Sequence, residues 1–372
     1  MTDATTLFLA GDVMLGRGVD QIQAAPGDPV LFESHAASAL SYVALAERRR
    51  GAIRRAVAPD YVWGALLPEL ARRRPDLRLV NLETAVTRAS AADPKGINYR
   101  MNPANRAVLT AAGIDLCVLA NNHVLDWGLA GLVETLDTLD ACGIAAAGAG
   151  IDAERAAAPA VLPLVGGRRA LVIAFALPSS GVPADWAAGH ARPGVYLVQD
   201  RDRAVADIAA QVRALSRPGD VVVASIHWGG NWGYAVPAED RALAHALIDA
   251  AGVHVVHGHS SHHPKGVERH GAGLILYGCG DLINDYEGIE GREAYRGDLV
   301  LAYFVTLHDD RVHDLAMPAF RLSGFCLVRA SEAERHWLAG RLSAAGGEWG
   351  ARLRIDDADC LRLAPPHSAA RR

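Results

Sequence analysis

The chain has 372 residues, of which 51% are hydrophobic and 21% are charged, and its formal net charge is −5. This composition is typical of a folded globular protein and excludes a long disordered chain. The negative balance gives no general attraction to nucleic acid or to an anionic membrane surface, so neither is expected as a partner.

Apolar runs of strand length alternate with helical patterns along most of the chain, which predicts an α/β fold. The predicted strands are Leu7–Ala10, Leu77–Val80, Leu116–Ala120, Leu171–Phe175, Val221–Ile226, Val253–Val256 and Leu274–Tyr277. The predicted helices between them are Pro103–Ala112, Leu129–Cys142, Arg201–Leu215 and Pro237–Ala251. After residue 298 the pattern predicts a β-hairpin, Leu299–Leu307 with Val312–Phe320, and then a helix, Glu332–Ala345.

One catalytic domain is expected to cover residues 1–320, with residues 321–372 forming a C-terminal helix and strand extension packed on it. Residues 20–60 contain no clear strand pattern and are expected to be an insertion between the first two sheet strands. The tail, residues 365–372, is expected to be disordered.

Targeting and redox signals point to the cytoplasm. The segment before residue 7 has no basic start and no long apolar run, which argues against a signal peptide. No stretch approaches the roughly 18 consecutive apolar residues of a membrane span. The five cysteines are widely spaced and odd in number, so we expect a reduced compartment without a disulfide framework.

Several predicted strands end in acids, amides or imidazoles. In open α/β sheets, ligands bind outside the carboxyl ends of the strands, so these endings predict one shared site. They read G-D-V-M-L-G-R (Gly11–Arg17), N-L-E-T (Asn81–Thr84), N-N-H-V-L-D (Asn121–Asp126), H-W-G (His227–Gly229) and H-G-H-S-S-H-H (His257–His263).

The densest signal is the histidine run that ends the last of these segments. His257 and His259 share one face of an extended chain, and a turn at Ser260–Ser261 can return His262 to the same point. Imidazoles this dense suit Zn, Mn, Fe or Ni better than Mg alone. A metal or catalytic site is therefore favoured over a solvent-exposed histidine tract.

Three single residues at strand ends leave two interpretations open each. Asp12 can reach a metal or cap a turn. Glu83 can bind one or two cations or form a local salt bridge. His227 can be a ligand or a structural histidine, and the acids, amides and imidazoles at the other strand ends favour the ligand.

His123 and Asp126 are predicted to form a catalytic acid–base pair. Two amides, Asn121 and Asn122, precede His123, and an asparagine carbonyl is a hard oxygen ligand. Asp126 lies three residues further on, close enough to orient His123 through its second ring nitrogen.

Charged residues near these motifs have a structural and a functional interpretation. Arg17 follows Asp12 in the same loop and either binds an anionic oxygen of the substrate or forms a structural salt bridge. Asp281 and Asp285 either approach the rim of the site or form an Asx turn. The basic run Arg48–Arg50 is either a solvated helix face or a patch that steers an anionic substrate.

Taken in chain order, the five strand-end motifs together with L-Y-G-C-G-D (Leu276–Asp281) resemble the bacterial capsule-biosynthesis CapA family, which is a branch of the calcineurin-like metallophosphoesterases. The resemblance runs from Leu7 to about Tyr286 and implies a four-layer α/β/β/α sandwich with divalent metals at the strand ends. It also implies His123 as the acid near the leaving group. The ligands that it implies are a bridging Glu83 with Asn122, His227 and His259 for one metal, and Asp12 with His262 for the other.

Two positions depart from the pattern of this superfamily. Its members usually carry Asp-x-His at the first strand, but Met14 occupies the third position here. Ser260-Ser261-His262 replaces the usual His-Pro-His. Because Met14 removes an imidazole from the second metal, we expect one firmly held ion (Mn, Zn, Fe or Ca) and a second that is weak or absent.

Three functions fit these residues, each with a small anionic or peptide substrate as the partner. The first is a metal-dependent hydrolase of a phosphoester or related anion that uses metal-activated water. The second is a peptide Cα epimerase of a ribosomal (lasso) peptide pathway, with His123–Asp126, Asp12 and a histidine of the 259–263 cluster as acid–base groups. The third is an accessory protein of poly-γ-glutamate or capsule synthesis without turnover, which Met14 makes conceivable.

Overall fold

Two β-sheets packed face to face form the centre of the molecule, a computed structural model that describes residues 4–309, 311–349 and 351–364. The larger sheet has nine strands, in the order Leu353–Ile355, Leu361–Leu363, Arg311–Met317, Tyr303–His308, Thr5–Val13, Leu77–Leu82, Leu116–Val118 and Ala145–Ala147, with Asp281–Ile283 also paired to Thr5–Val13. The second sheet has six strands, in the order Ala160–Pro163, Arg169–Ala176, Val221–His227, Val255–His259, Gly273–Leu276 and Val267–His270.

Side-chain alternation along the strands explains the layering, because successive residues of a strand point to opposite faces of its sheet. Leu7 and Leu9 of the first strand face the second sheet and pack in one core with Val223. Phe8 and Ala10, on the opposite face, belong to a second core outside the larger sheet.

Helices cover the outer face of each sheet. The helices Leu66–Arg73 and Gly128–Ala141 contribute to the core outside the larger sheet. The helices Arg201–Leu215 and Ala238–Ala251 cover the second sheet. The predicted α/β/β/α sandwich is therefore confirmed.

The remaining elements are shorter or lie at the periphery. The other helices are Gly18–Gln21, Leu40–Arg50, Ala107–Ala111, Ala153–Ala157 and Glu332–Ala345. Small sheets are formed by Val30–Glu33 with Ala36–Ser38, Ala85–Val86 with Arg100–Met101, Ala149–Gly150 with Gly194–Val195, and Leu299–Leu301 with Ala319–Ser323 and Cys326–Arg329. Across the described parts of the chain, no helix combines the length and the apolar character needed to cross a bilayer.

Three sequence predictions differ from the structure. The predicted hairpin after residue 298 is split, because Pro318 cannot donate to a ladder and interrupts its second strand. The predicted helix Pro103–Ala112 is a 3₁₀ turn followed by a five-residue helix. Residues 20–60, predicted without a strand, contain the short hairpin that begins with Val30–Glu33. The residues expected to connect the two hairpin strands, between Leu307 and Val312, include residue 310, which lies outside the described residues, as does the tail 365–372.

Candidate metal centre

Polar strand ends from both sheets meet at one place, as the sequence predicts. Asp12 lies opposite Asn81 in one neighbouring strand and opposite Asp281 in another, and His227 lies opposite His259 in the second sheet. Asp12, Glu83, His123, His227, His259 and His262 are each no more than 7% exposed. The site is thus a buried cluster of acids and imidazoles between the sheets.

A β-bulge at Gly11 sets the direction of Asp12. The register of the first strand shifts between Ala10 and Asp12, which leaves Gly11 as the extra residue. Bulges redirect the side chains that follow them. A side chain at Gly11 would meet the carbonyl oxygen of Gly280 at 1.9 Å, so only glycine fits at this point.

One set of possible ligands, here called the histidine group, consists of Asp12, His227 and His259. One ligand atom from each lies within 4.8 Å of the others. The Nδ1 atoms of His227 and His259 are 2.8 Å apart. Asn122 Oδ1 lies 3.1 Å from His227 Nε2, and Glu83 Oε2 lies 4.0 Å from His227 Nδ1. All four residues that the resemblance assigns to one metal therefore lie together.

A second set, here called the acid group, consists of Asp12, His262 and Asp281, again with ligand atoms within 4.8 Å. His262 Nδ1 is 2.9 Å from Asp281 Oδ1. Sequence reasoning placed Asp281 no closer than the rim, whereas the structure puts it beside Asp12. Asp12 is common to both groups, a bridging position that the resemblance gives to Glu83.

Met14 contacts Tyr286, whose ring packs against His262 of the acid group, and it offers no strong ligand. Its side chain is buried, and its Sδ accepts a hydrogen bond from Tyr286 at 3.5 Å. The carboxylate of Asp281 therefore completes a set of three possible ligands that the sequence left at two.

Side-chain amides hold the acids in place. Asn81 Nδ2 donates to Asp12 Oδ1 at 2.7 Å and to Glu83 Oε2 at 3.0 Å. Asn121 Nδ2 donates to Asn81 Oδ1 at 3.0 Å. The backbone N–H of Ser260 donates to Asp12 Oδ2 at 3.2 Å. These bonds fix the carboxylate orientations before any ligand binds.

The charges of the buried side chains suit a divalent cation. Burial and the neighbouring Asp281 raise the pKa of Asp12 to about 7. Burial and the neighbouring Asp12 raise the pKa of Glu83 well above its ordinary value. Burial lowers the pKa values of His227 and His259, so both imidazoles stay neutral and keep lone pairs available. Neutral imidazoles and crowded carboxylates fit Mn, Zn or Fe, whose charge offsets the repulsion between the acids.

His123 has three ionisable neighbours at the edge of the centre. Its Nδ1 lies 2.7 Å from Asp126 Oδ2, and its Nε2 lies 3.9 Å from Glu83 Oε1. Lys95 Nζ lies 2.7 Å from Asp126 Oδ1 and 3.3 Å from His123 Nδ1. Burial lowers the pKa of His123 to about 4. The predicted pair thus lies at the centre, together with a lysine that no pattern in its loop distinguishes.

Arg17 is enclosed, and this contradicts its predicted role in binding a substrate anion. Its guanidinium pairs with Asp285 through two nitrogens and with Glu33 through the third, at 2.5–2.9 Å. Tyr42 covers it at 3.6 Å from the ring centroid. Only 1% of the side chain is exposed, so the salt-bridge interpretation of Arg17 is the one the structure favours.

A cleft of about 400 Å³ adjoins the acid group. His262, Trp232 and Tyr286 are among its lining residues. The lining carries both signs of charge, and besides the enclosed Arg17 its cations are Arg49, Arg50, Arg292 and Arg296. Arg50 and Arg296 pair with acids, whereas the guanidinium of Arg292 lies 5.5 Å from the Trp232 ring.

Known proteins resemble the chain over the same region. Residues 6–286 match the family described as "Bacterial capsule synthesis protein PGA_cap". A "probable polyglutamine synthesis accessory protein" of Mycobacterium tuberculosis is 45% identical over 369 residues, which are 98% of this chain and 97% of that protein. The "PGA biosynthesis protein CapA" of Bacillus subtilis is 26% identical over 76% of this chain and 64% of its own length. For the "capsule biosynthesis protein CapA" of Bacillus anthracis the identity is 24%, over 75% and 60%. The chain therefore belongs to the bacterial capsule-synthesis family PGA_cap, and the resemblance to CapA is confirmed.

Proposed function

We propose that this protein is a metal-dependent hydrolase of an anionic substrate that serves as an accessory to polyglutamate synthesis. The observation that carries the proposal is the pair of ligand groups sharing Asp12 beside the oriented imidazole of His123. The names of the relatives from Mycobacterium and Bacillus support the biosynthetic setting.

The metal has a defined part in this proposal. The residues that would hold it are Asp12, Glu83, Asn122, His227 and His259, together with His262 and Asp281. A divalent ion there supplies Lewis-acid polarisation of a phosphoryl or carboxyl oxygen.

His123 supplies proton transfer from the protein side. The Asp126 carboxylate accepts from Nδ1, which assigns the ring proton to Nδ1 and leaves the lone pair of Nε2 facing the centre. Since the low pKa keeps the free ring neutral at pH 7, Nε2 is set to accept a proton first and return it later. His123 would then act as the predicted acid in the second half of a catalytic turnover, when Nε2 returns its proton.

The cleft supports an anionic substrate. Arg49 and Arg292 are exposed residues of its lining, and Trp232 offers a flat apolar wall next to His262. A chain of carboxylates or a phosphoester can pair with the guanidinium groups while its reacting bond lies near Asp12. Two of the acids that also line the cleft, Glu287 and Asp298, pair with Arg50 and Arg296, which offsets their repulsion of an anion.

A second candidate is an accessory protein that binds metal and substrate without turnover. The word "accessory" in the name of the mycobacterial relative favours it. The lone pair of Nε2 and the complete acid group favour the enzyme, because a binding protein does not need an oriented proton acceptor.

One experiment separates these functions. Protein loaded with Mn²⁺ or Zn²⁺ is incubated with chromogenic phosphomonoesters and phosphodiesters, and with poly-γ-glutamate followed by size-exclusion chromatography. We expect metal-dependent product release that is lost in Asp12→Asn and reduced by about 100-fold or more in His123→Gln. The surface variant His336→Gln serves as the matched control.

The other outcomes discriminate among the remaining functions. Tight metal binding without product from any of these substrates would favour the accessory protein. Peptide incubated in deuterated water that gains deuterium at Cα without cleavage would favour the epimerase.

A further inference from the structure

One buried histidine has no part in the centre described so far, although it belongs to the densest histidine run of the sequence. His257 is 0% exposed and lies on the strand Val255–His259, two residues before the candidate ligand His259. Side chains two apart on a strand leave the same face of the sheet. The two rings are accordingly neighbours, with centroids 5.2 Å apart. Because buried polar groups need partners, the contacts of His257 indicate what it does.

A serine hydroxyl joins the two rings. Ser225 lies opposite His257 on the paired strand Val221–His227. Its Oγ is 2.9 Å from Nδ1 of His257 and 3.0 Å from Nε2 of His259. Ser225 is also fully buried, so solvent does not compete for these bonds. The three side chains form one buried series, here called the serine bridge.

The serine bridge ends at the histidine group. Nδ1 of His259 is the ring nitrogen that faces the other ligands, at 2.8 Å from His227 Nδ1 and 3.8 Å from Asp12 Oδ1. The other nitrogen, Nε2, is the one bonded to Ser225. A metal ion takes the lone pair of a ring nitrogen, so binding through Nδ1 requires the ring proton of His259 to be on Nε2.

The single hydroxyl proton of Ser225 then sets the direction of both hydrogen bonds. When Nε2–H of His259 donates to Ser225, the hydroxyl can donate only to Nδ1 of His257. In the reverse direction, Nδ1–H of His257 donates to Ser225 and the hydroxyl donates to Nε2 of His259. The proton of His259 is then on Nδ1, where it blocks an ion. Only the first direction permits metal binding.

The far side of His257 favours the first direction, in which its proton is on Nε2. The other acceptor at this ring is the backbone carbonyl of Ala10. Nε2 is buried, and its contact falls outside ordinary hydrogen-bond geometry in the described parts of the chain. Because a carbonyl can only accept, an N–H on Nε2 gains a partner there, whereas a lone pair gains none.

We propose that His257 is a positioning residue for the metal ligand His259 and acts on it through the hydroxyl of Ser225. This role rests on the metal centre of the proposed function and extends it to two residues that are not ligands. By accepting from Ser225, His257 keeps the lone pair of His259 Nδ1 directed at the other ligands. Partners of this kind orient metal ligands, and losing one costs roughly 10–100-fold in metal affinity.

Zinc affinity measures this effect without the reaction. Calorimetric titration with Zn²⁺ compares the parent with His257→Leu, which removes the acceptor, and with Ser225→Ala, which removes the hydroxyl. We expect each change to weaken the binding of one zinc by about 10–100-fold. His257→Asn places an amide oxygen near the position of Nδ1, so this variant should bind zinc more tightly than His257→Leu does.

A double variant separates positioning from general damage. In His259→Gln protein the ligand is already gone, so adding His257→Leu should not weaken zinc binding further. Thr135→Val removes a buried hydroxyl from the helix Gly128–Ala141 and is the matched control for Ser225→Ala, with unchanged zinc affinity expected. Melting curves without zinc show whether each variant is folded. Ser225→Ala, which removes one oxygen, keeps the test decisive if His257→Leu does not fold.

Nuclear magnetic resonance of the histidine ring nitrogens reads the tautomers directly. In zinc-loaded protein we expect His257 and His259 each to carry the ring proton on Nε2, with signals assigned from His257→Asn and His259→Gln. A proton on Nδ1 of His257 would overturn the proposal, and so would parent-like zinc affinity in the folded Ser225→Ala variant. Both results leave the metal centre in place. A parent protein that binds no zinc would instead overturn the proposed function together with this role of His257.

Discussion

The histidine group and the acid group share Asp12 but are built in different ways. His227 and His259 lie opposite each other on paired parallel strands, so the backbone ladder fixes their separation. In the acid group, His262 follows a turn in which Ser260 has φ of 105°, and Asp281 is held by the side chain of Asn284. The difference teaches that sheet register sets both histidines of the histidine group, whereas in the acid group it sets only Asp281, opposite Asp12, and His262 depends on a turn that is easier to displace.

The largest effect is expected from removing the shared residue. Asp12→Asn takes a charged ligand from both groups, so we predict loss of both metals and a fall in hydrolytic rate of about 1,000-fold or more. Metal analysis and the phosphoester assay measure the two losses. Asp207→Asn, on an exposed helix face, should change neither.

A smaller loss is expected when only the histidine group is broken. His259→Gln should lower metal affinity by about 100-fold or more, because the loss of a ligand weakens binding at least as much as the loss of a residue that is hydrogen-bonded to a ligand. Isothermal titration with Mn²⁺ measures the affinity. Undiminished binding in His259→Gln would show that the histidine group is not the tighter site.

The acid group should tolerate damage better. Asp281→Asn keeps the shape and the hydrogen bond acceptor of the side chain, and we predict a 10–100-fold weakening of one metal only. Metal content at saturating and limiting Mn²⁺ separates the two sites. Equal losses at both sites would contradict the distinction between the groups.

The smallest effect is a gain. Met14→His restores the imidazole that the superfamily usually carries there. We predict that the affinity for the second metal rises by about tenfold, which is within the range of effects that a single residue next to a metal ligand has on affinity. Met14→Leu is the matched control, since it keeps the apolar volume without a ligand. A weaker second metal in Met14→His would indicate that Tyr286, which donates to Met14, already fixes the geometry.

The parts of this comparison that sequence could predict are the ones that depend on local pattern. Apolar runs ending in His227 and His259 identify strand ends, and alternation along the first strand assigns its two faces. Asp281 becomes a ligand only because its strand pairs in parallel with the first strand, a contact between distant segments. Lys95 comes from a loop without periodicity, so its contact with Asp126 has no local signature.

Arg17 illustrates the same limit for charge. Its position after Asp12 suits an anion-binding residue equally well as a structural one. The partners that decide are Glu33, from the region expected to be an insertion, and Asp285, from the far end of the family match. Neither partner can be assigned before the chain is folded.

The side-chain amides of Asn81 and Asn121, which are hydrogen-bonded in series to Asp12, also affect how the larger sheet assembles. Asp12 and Asn81 lie on neighbouring strands, Asn121 follows the next strand, Leu116–Val118, and the three side chains are joined by hydrogen bonds. A one-residue slip would turn these groups to the opposite face, and each buried group left unpaired would cost about 1–3 kcal/mol. The hydrogen bonds that orient the candidate metal ligands thus also penalise misaligned strands, so an error in strand pairing would disrupt the same contacts that hold Asp12 in place.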